Sequence, residues 1–176
     1  GLLAVQVVLH YGLRWENLIV ILLGYSLIVL SFIDFRHYIL PDVITLPGMV
    51  LGVAVAWSGW LVPALPGIRE SLMGVAIGGG GLWAFGWTFQ KITGKVGMGF
   101  GDVKLLGMIG AWMGWQSLPF TLFFSALTGS VVGITWMVWA GRDRSQPIPF
   151  GPYLAGAAWA YLFVGDVVYA WYLGNG

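Results

Sequence analysis

The chain has 176 residues, 59% of them hydrophobic and only 9% charged, with a formal net charge of +1. Soluble domains carry about a quarter charged residues; eight basic and seven acidic side chains cannot cover so apolar a chain in water, which makes lipid its natural solvent. The near-neutral charge offers no basic face to nucleic acid, and the absence of Cys excludes disulfides, thiolate catalysis and Cys-ligated zinc.

Apolar runs follow one another along the chain. The first, residues 1–13, begins at Gly1 with no Met and no basic n-region, so the chain is expected to be an internal fragment or processed product and residues 1–12 an incomplete segment rather than a signal peptide. The second, 17–33, is slightly short for a bilayer span of about 20 residues. The runs at 43–62 and 71–90 are long enough, and so are 118–140 and 151–173. The fifth, 104–115, is the odd one. From Asp102 to Trp115 a helix extends about 21 Å, against a hydrocarbon core of about 30 Å. With Trp112 and Trp115 at the far interface, Asp102 would start this helix below the near membrane surface. The expected fold is therefore all-α: a polytopic helical membrane protein of about seven segments, the first truncated and the fifth short. Residues 1–176 are read as one transmembrane helical domain.

Seven segments make the loops alternate sides. Loops 34–42, 91–103 and 141–150, with Lys104 beside them, carry Arg36, Lys91, Lys95, Lys104, Arg142 and Arg144; the other side has only Arg14 and Arg69. The excess of basic residues marks the first side as cytoplasmic. The same side receives Asp34, Asp42 and Asp102. Glycines are spread through the spans, as in tightly packed membrane helices, with a local cluster at Gly78 to Gly81.

The acidic residues divide by setting. Glu16 and Glu70 lie beside Arg14 and Arg69, and Asp143 lies between Arg142 and Arg144, so all three read as solvated charges. Asp166 interrupts the last span and is either a polar contact between helices or a functional group. Asp42 follows Pro41 and precedes an apolar run, where helix capping is the favoured reading. Asp34 closes the second span, with Arg36 and His37 as nearby partners, and Asp102 could be the N-cap of the short fifth helix. Together, however, Asp34 and Asp102 stand at span ends that can meet in a helical bundle. Two carboxylates sharing one site hold one proton between them. That pair suits peptide hydrolysis: one member takes a proton from the attacking water while the other polarises the carbonyl. It titrates as a unit, so neither residue receives a fixed role. Gly97, Gly99 and Gly101 would let an extended substrate approach the backbone. Lys104 either holds negative charge in the site or snorkels to the headgroups. A Ser–His arrangement has little support, since His10 has no serine nearby and His37 has only Ser31. Asp34, Asp42, Asp102 and His37 could in principle bind a cation, but no metal is expected.

The stretches DFRHYILPD and GMGFGDVK closely resemble the motifs of the type IV prepilin peptidase family, the GxGD-type intramembrane aspartyl proteases. The resemblance rests on an aspartate ending a span, the LPDxxTLP run at Leu40–Pro47 and GxGDxK at Gly99–Lys104; PIPFGPYLAGA at 147–157 also looks like the family's stretch before its last span. The resemblance implies a catalytic dyad of Asp34 and Asp102, with Pro41, Asp42, Gly99, Gly101 and Lys104 in support. It implies cleavage of the leader from type IV prepilins or type II secretion pseudopilins, membrane substrates met at the cytoplasmic face of the bacterial inner membrane. Proteolysis would need no cofactor, whereas N-methylation of the new terminus would use S-adenosylmethionine. Many members carry a cytoplasmic loop with two CxxC pairs, resembling a zinc site; this chain lacks it, which puts zinc and methyl transfer in doubt for these residues. The alternatives are a proton- or cation-coupled transporter, which would place acids mid-span in an inverted repeat, and a structural membrane subunit indifferent to loss of Asp34 and Asp102.

Overall fold

A computed structural model describes residues 1–12, 14, 17–59, 65–94, 99–140 and 149–172, with backbone alone at 140, 166, 169, 171 and 172. Among the described residues there is no strand. Helices α1 (Leu2–Tyr11), α2 (Asn17–His37), α3 (Asp42–Ser58), α5 (Phe100–Met113), α6 (Ser117–Ala140) and α7 (Gly151–Tyr172) join α4, which runs Ile68–Thr93. The all-helical expectation and the short fifth helix are thus what the structure has. By length and composition Asn17–His37, Ile68–Thr93 and Ser117–Trp139 are long and apolar enough to cross a membrane.

Two bounds differ from the apolar runs. Helix α2 has 21 residues and continues through Asp34, Arg36 and His37, because backbone hydrogen bonding outlasts the apolar side chains. Helix α3 has only 17 and ends at Ser58, where Gly59 adopts a left-handed conformation with φ 66°.

Helix α5 occupies the middle. Every residue from Leu105 to Met113 is buried, and α3, α4, α6 and α7 all pack against it. A helix enclosed by protein does not have to match the bilayer's thickness. Helices α1, α2, α6 and α7 form the other part of the bundle, with α7 touching α2, α5 and α6.

Apolar burial gives little drive between helices in lipid, where close packing and polar contacts hold them. At the α4–α5 crossing the two backbones meet directly. A Cβ on Gly74 would lie 2.1 Å from the Gly110 carbonyl oxygen, and one on Gly110 would lie 2.3 Å from that of Gly74. The glycine cluster forms a π-helical turn at Ala76–Gly81, which brings Gly78 against the Leu106 carbonyl. Ser71 Oγ donates to the Ala111 carbonyl at 2.6 Å, and Trp112 Nε1 donates to the Gly48 carbonyl at 2.8 Å. The second bond ties α5 to α3 through a Trp112 side chain that is 3% exposed, its indole N–H satisfied by a carbonyl inside the bundle.

Candidate active site

The end of α2 and the beginnings of α3 and α5 converge on one cleft of about 300 Å³, with α7 starting behind it. Asp34 lies three residues before the end of α2 and is 6% exposed. Its neighbours Arg36 and His37 are exposed, and its Oδ2 instead accepts the backbone N–H of Gly151 at 2.8 Å. That donor is available because it belongs to the first residue of α7, where helical N–H groups have no partner within the helix. Burial of Asp34 is therefore accompanied by a hydrogen bond to one of its oxygens.

Asp102 stands in the first turn of α5 and lines the cleft with Asp34, close enough for the two charges to interact. Gly99, not Asp102, is the N-cap residue of α5, and the Asp102 carboxyl turns back to it, accepting the Gly99 backbone N–H. Residues Phe100 to Lys104 are helical, which also changes the meaning of Gly101. It is pressed against Leu40, where a Cβ would lie 2.9 Å from the Leu40 Cβ. Gly101 lets α5 pack closely on Leu40 of the α2–α3 connection while it still lines the cleft. Gly99 remains exposed at the cleft, and Gly97 lies outside the described residues.

Capping does not describe Asp42 either. Pro41 is the N-cap residue of α3, with φ −70° and no side-chain cap, and does not line the cleft. Asp42 Oδ1 instead accepts Lys104 Nζ at 2.5 Å. This ion pair takes Lys104 away from a purely snorkelling role. Among the described residues no three His, Asp or Glu side chains gather as a metal site, so the proposed cation set of Asp34, Asp42, Asp102 and His37 does not form. Asp143 and the side chain of Asp166 lie outside the described residues, as do Glu16, Pro147 and Ile148.

Two participants escaped the sequence reading. Gly151 contacts a residue 117 positions away through its main chain, which no side-chain pattern announces. Tyr38 ends α2 in a left-handed conformation, φ 56°, with its N–H on the Asp34 carbonyl at 2.8 Å, and its side chain lines the cleft. A non-glycine residue there costs about 1 kcal/mol or more, and its only visible sequence cue is the turn-forming Pro41 shortly after it.

The type IV leader peptidase family matches residues 21–134, which include Asp34, Asp42, Asp102 and Lys104. The chain is 41% identical over 173 residues to a prepilin leader peptidase/N-methyltransferase of Stutzerimonas stutzeri, covering 98% of this chain and 58% of that protein. It is 42% identical over 178 residues to the protein of that name from Aeromonas hydrophila, covering 99% and 59%. A third, from Pseudomonas putida, is 43% identical over 170 residues, covering 97% and 58%. The chain thus spans somewhat under three fifths of the length of these relatives. No solved structure matches it. With the family matching well over half of its residues, the chain belongs to the type IV leader peptidase family.

Proposed function

We propose that this chain carries an aspartic endopeptidase site that removes the leader peptide of type IV prepilins or of related pseudopilins, with Asp34 and Asp102 as the catalytic pair. The observation that supports this most is their meeting in one cleft from separate helices, α2 and α5. In this reading one carboxylate, ionised, removes a proton from water as the oxygen attacks the scissile carbonyl. The other carries a proton and donates it to the developing oxyanion. Proton transfer then releases the amine of the mature protein, and the pair returns to its starting state. The Gly151 N–H orients Asp34, and the surrounding apolar helices restrict water to the cleft.

The distribution of Lys and Arg supports a cytoplasmic cleft in the inner membrane, since Arg36, Lys91 and Lys104 belong to the same end of the bundle as Asp34 and Asp102. Described acids at span ends also fit a peptidase better than a transporter with acids at mid-membrane. N-methylation, the second activity in the relatives' names, belongs to the proposal only for the whole protein with S-adenosylmethionine, because two carboxylates give no account of methyl transfer.

The test uses the full-length protein in native membranes with a prepilin carrying its leader. Wild type is expected to shorten the prepilin, while Asp34→Asn and Asp102→Asn each lose cleavage by about 10³-fold or more, as for removal of a group that acts as half of a catalytic unit. Wild-type cleavage by either variant overturns the assignment.

A further inference from the structure

Among the described residues three carboxylates line the cleft, Asp34, Asp42 and Asp102, and a single ammonium, Lys104, lines it with them. A reacting pair has no use for a third free carboxylate beside it, because each additional negative charge opposes ionisation of the others. The structure disposes of the third. Lys104 Nζ is 2.5 Å from Asp42 Oδ1, and the same ammonium lies 5.7 Å from the centroid of the Phe100 ring. The Lys104 side chain is 25% exposed and that of Asp42 is 55% exposed. Such a pair adds little to stability, about 0–1 kcal/mol. Its placement is more telling than its strength.

Asp102 lies between two contacts that α5 makes with one short stretch of chain. Before it, Gly101 is packed on Leu40; after it, Lys104 is bonded to Asp42. Leu40 belongs to the connection that leaves α2 just beyond Asp34, and Asp42 is the first residue of α3. Successive helical residues turn by about 100° around the axis, so contacts at positions 101 and 104 together fix the rotation of this first turn. Rotation of the turn is what aims the Asp102 carboxyl. We propose that Asp42 and Lys104 are positioning residues, whose ion pair locks the first turn of α5 to the start of α3, aims Asp102 at Asp34 and neutralises the third carboxylate of the cleft. This rests on the reading of Asp34 and Asp102 as the reacting pair.

The experiment is a double-mutant cycle in the full-length protein, reconstituted in bilayers and assayed with a leader-bearing prepilin. Asp42→Asn and Lys104→Gln are each expected to lower kcat about tenfold or more, with KM within about twofold of wild type. The neutral double variant loses no more than either single one, because each change already breaks the pair. The charge-reversed double variant, Asp42→Lys with Lys104→Asp, recovers to within about threefold of wild type. Recovery on charge reversal is not expected of a residue that touches substrate or merely fills space. A raised KM at unchanged kcat would assign Lys104 to substrate contact and overturn the proposal. Multiplicative losses in the neutral double variant would overturn it as well. Melting temperature identifies any variant that fails to fold; if charge reversal fails on that ground, the neutral cycle alone decides. Asp34→Asn runs beside them: if it cleaves like wild type, the assignment of the reacting pair fails, and the positioning role fails with it. If Asp34→Asn is dead while Asp42→Asn and Lys104→Gln both keep wild-type kcat, only the positioning role fails.

Discussion

A methyl group on Gly151 would lie 2.7 Å from Asp34 Oδ2 and 3.1 Å from its carboxyl carbon. Real Cβ atoms do not come so close to an oxygen, so either the carboxylate or the start of α7 has to move. In both cases the 2.8 Å bond from the Gly151 N–H is lost or distorted. Gly151→Ala is therefore expected to lower kcat for leader cleavage about 10- to 100-fold, the scale of an ångström-sized misplacement of a catalytic group. Initial rates over a range of prepilin concentrations test this, and wild-type kcat in the variant would refute it. The residue scale also shows what a sequence can reveal. Asp34, Asp102 and Lys104 are conspicuous because charges are costly in an apolar chain. Asp42 was equally visible, but its partner was not: the proline before it suggested capping, whereas its carboxylate reaches a lysine 62 positions away. Gly151 left no trace, since its contribution is a main-chain N–H.

Helix ends and crossings depend on different sequence features, and only some of these are legible. Long apolar runs located the seven helices, but not the extra turn of α2 that carries Asp34 inside a helix. The shortness of α5 was also visible from counting, yet its burial on all sides was not. Burial comes from neighbours, and the neighbours come from glycine contacts that a scattered pattern of glycines does not pair. The α4–α5 crossing makes this testable. Gly74→Ala and Gly110→Ala would each push a methyl into a carbonyl oxygen that belongs to backbone and cannot turn aside. Each is expected to destabilise the bundle by about 1–3 kcal/mol, and to reduce cleavage because α5 carries Asp102. Gly86, also within α4, has nothing within 4 Å of where its Cβ would be. Gly86→Ala should be neutral or stabilise the helix by about 0.5–1 kcal/mol. Unfolding of the three variants in detergent, measured against wild type, tests the contrast; equal effects would show that helix propensity, not the crossing, sets stability there.

Across the whole molecule, the ends of helices sort into two groups. Asp34, Leu40, Asp42, Gly101, Lys104 and Gly151 meet at one end, while Tyr11 bonds the Leu162 carbonyl, and Ser71 that of Ala111, nearer the other. Much of the surface between is apolar, with Phe32, Val50, Phe85 and Trp139 exposed among many others, as expected of a lipid-facing bundle. This arrangement gives each connection a side. Ile39 in the α2–α3 connection and Thr93 at the end of α4 belong to the end bearing the cleft, and Gly67 before α4 belongs to the opposite end. All three are exposed, and none carries the charges that orient the protein. Residues 1–176 contain no Cys, so a thiol introduced there is the single one in this stretch, and the same protein without it, labelled in parallel, gives the background. With the cleft facing the cytoplasm, Gly67→Cys should react with a membrane-impermeant maleimide in intact spheroplasts. Ile39→Cys and Thr93→Cys should react only after lysis or in inverted vesicles. The reverse pattern would place the cleft outside, and reaction of Ile39→Cys and Thr93→Cys from opposite sides would break the topology itself. On the proposed function the leader segment of a substrate reaches Asp34 and Asp102 through this end of the bundle, so the same labelling of Ile39→Cys should slow when a saturating prepilin is added to a protein whose cleavage is blocked by Asp102→Asn.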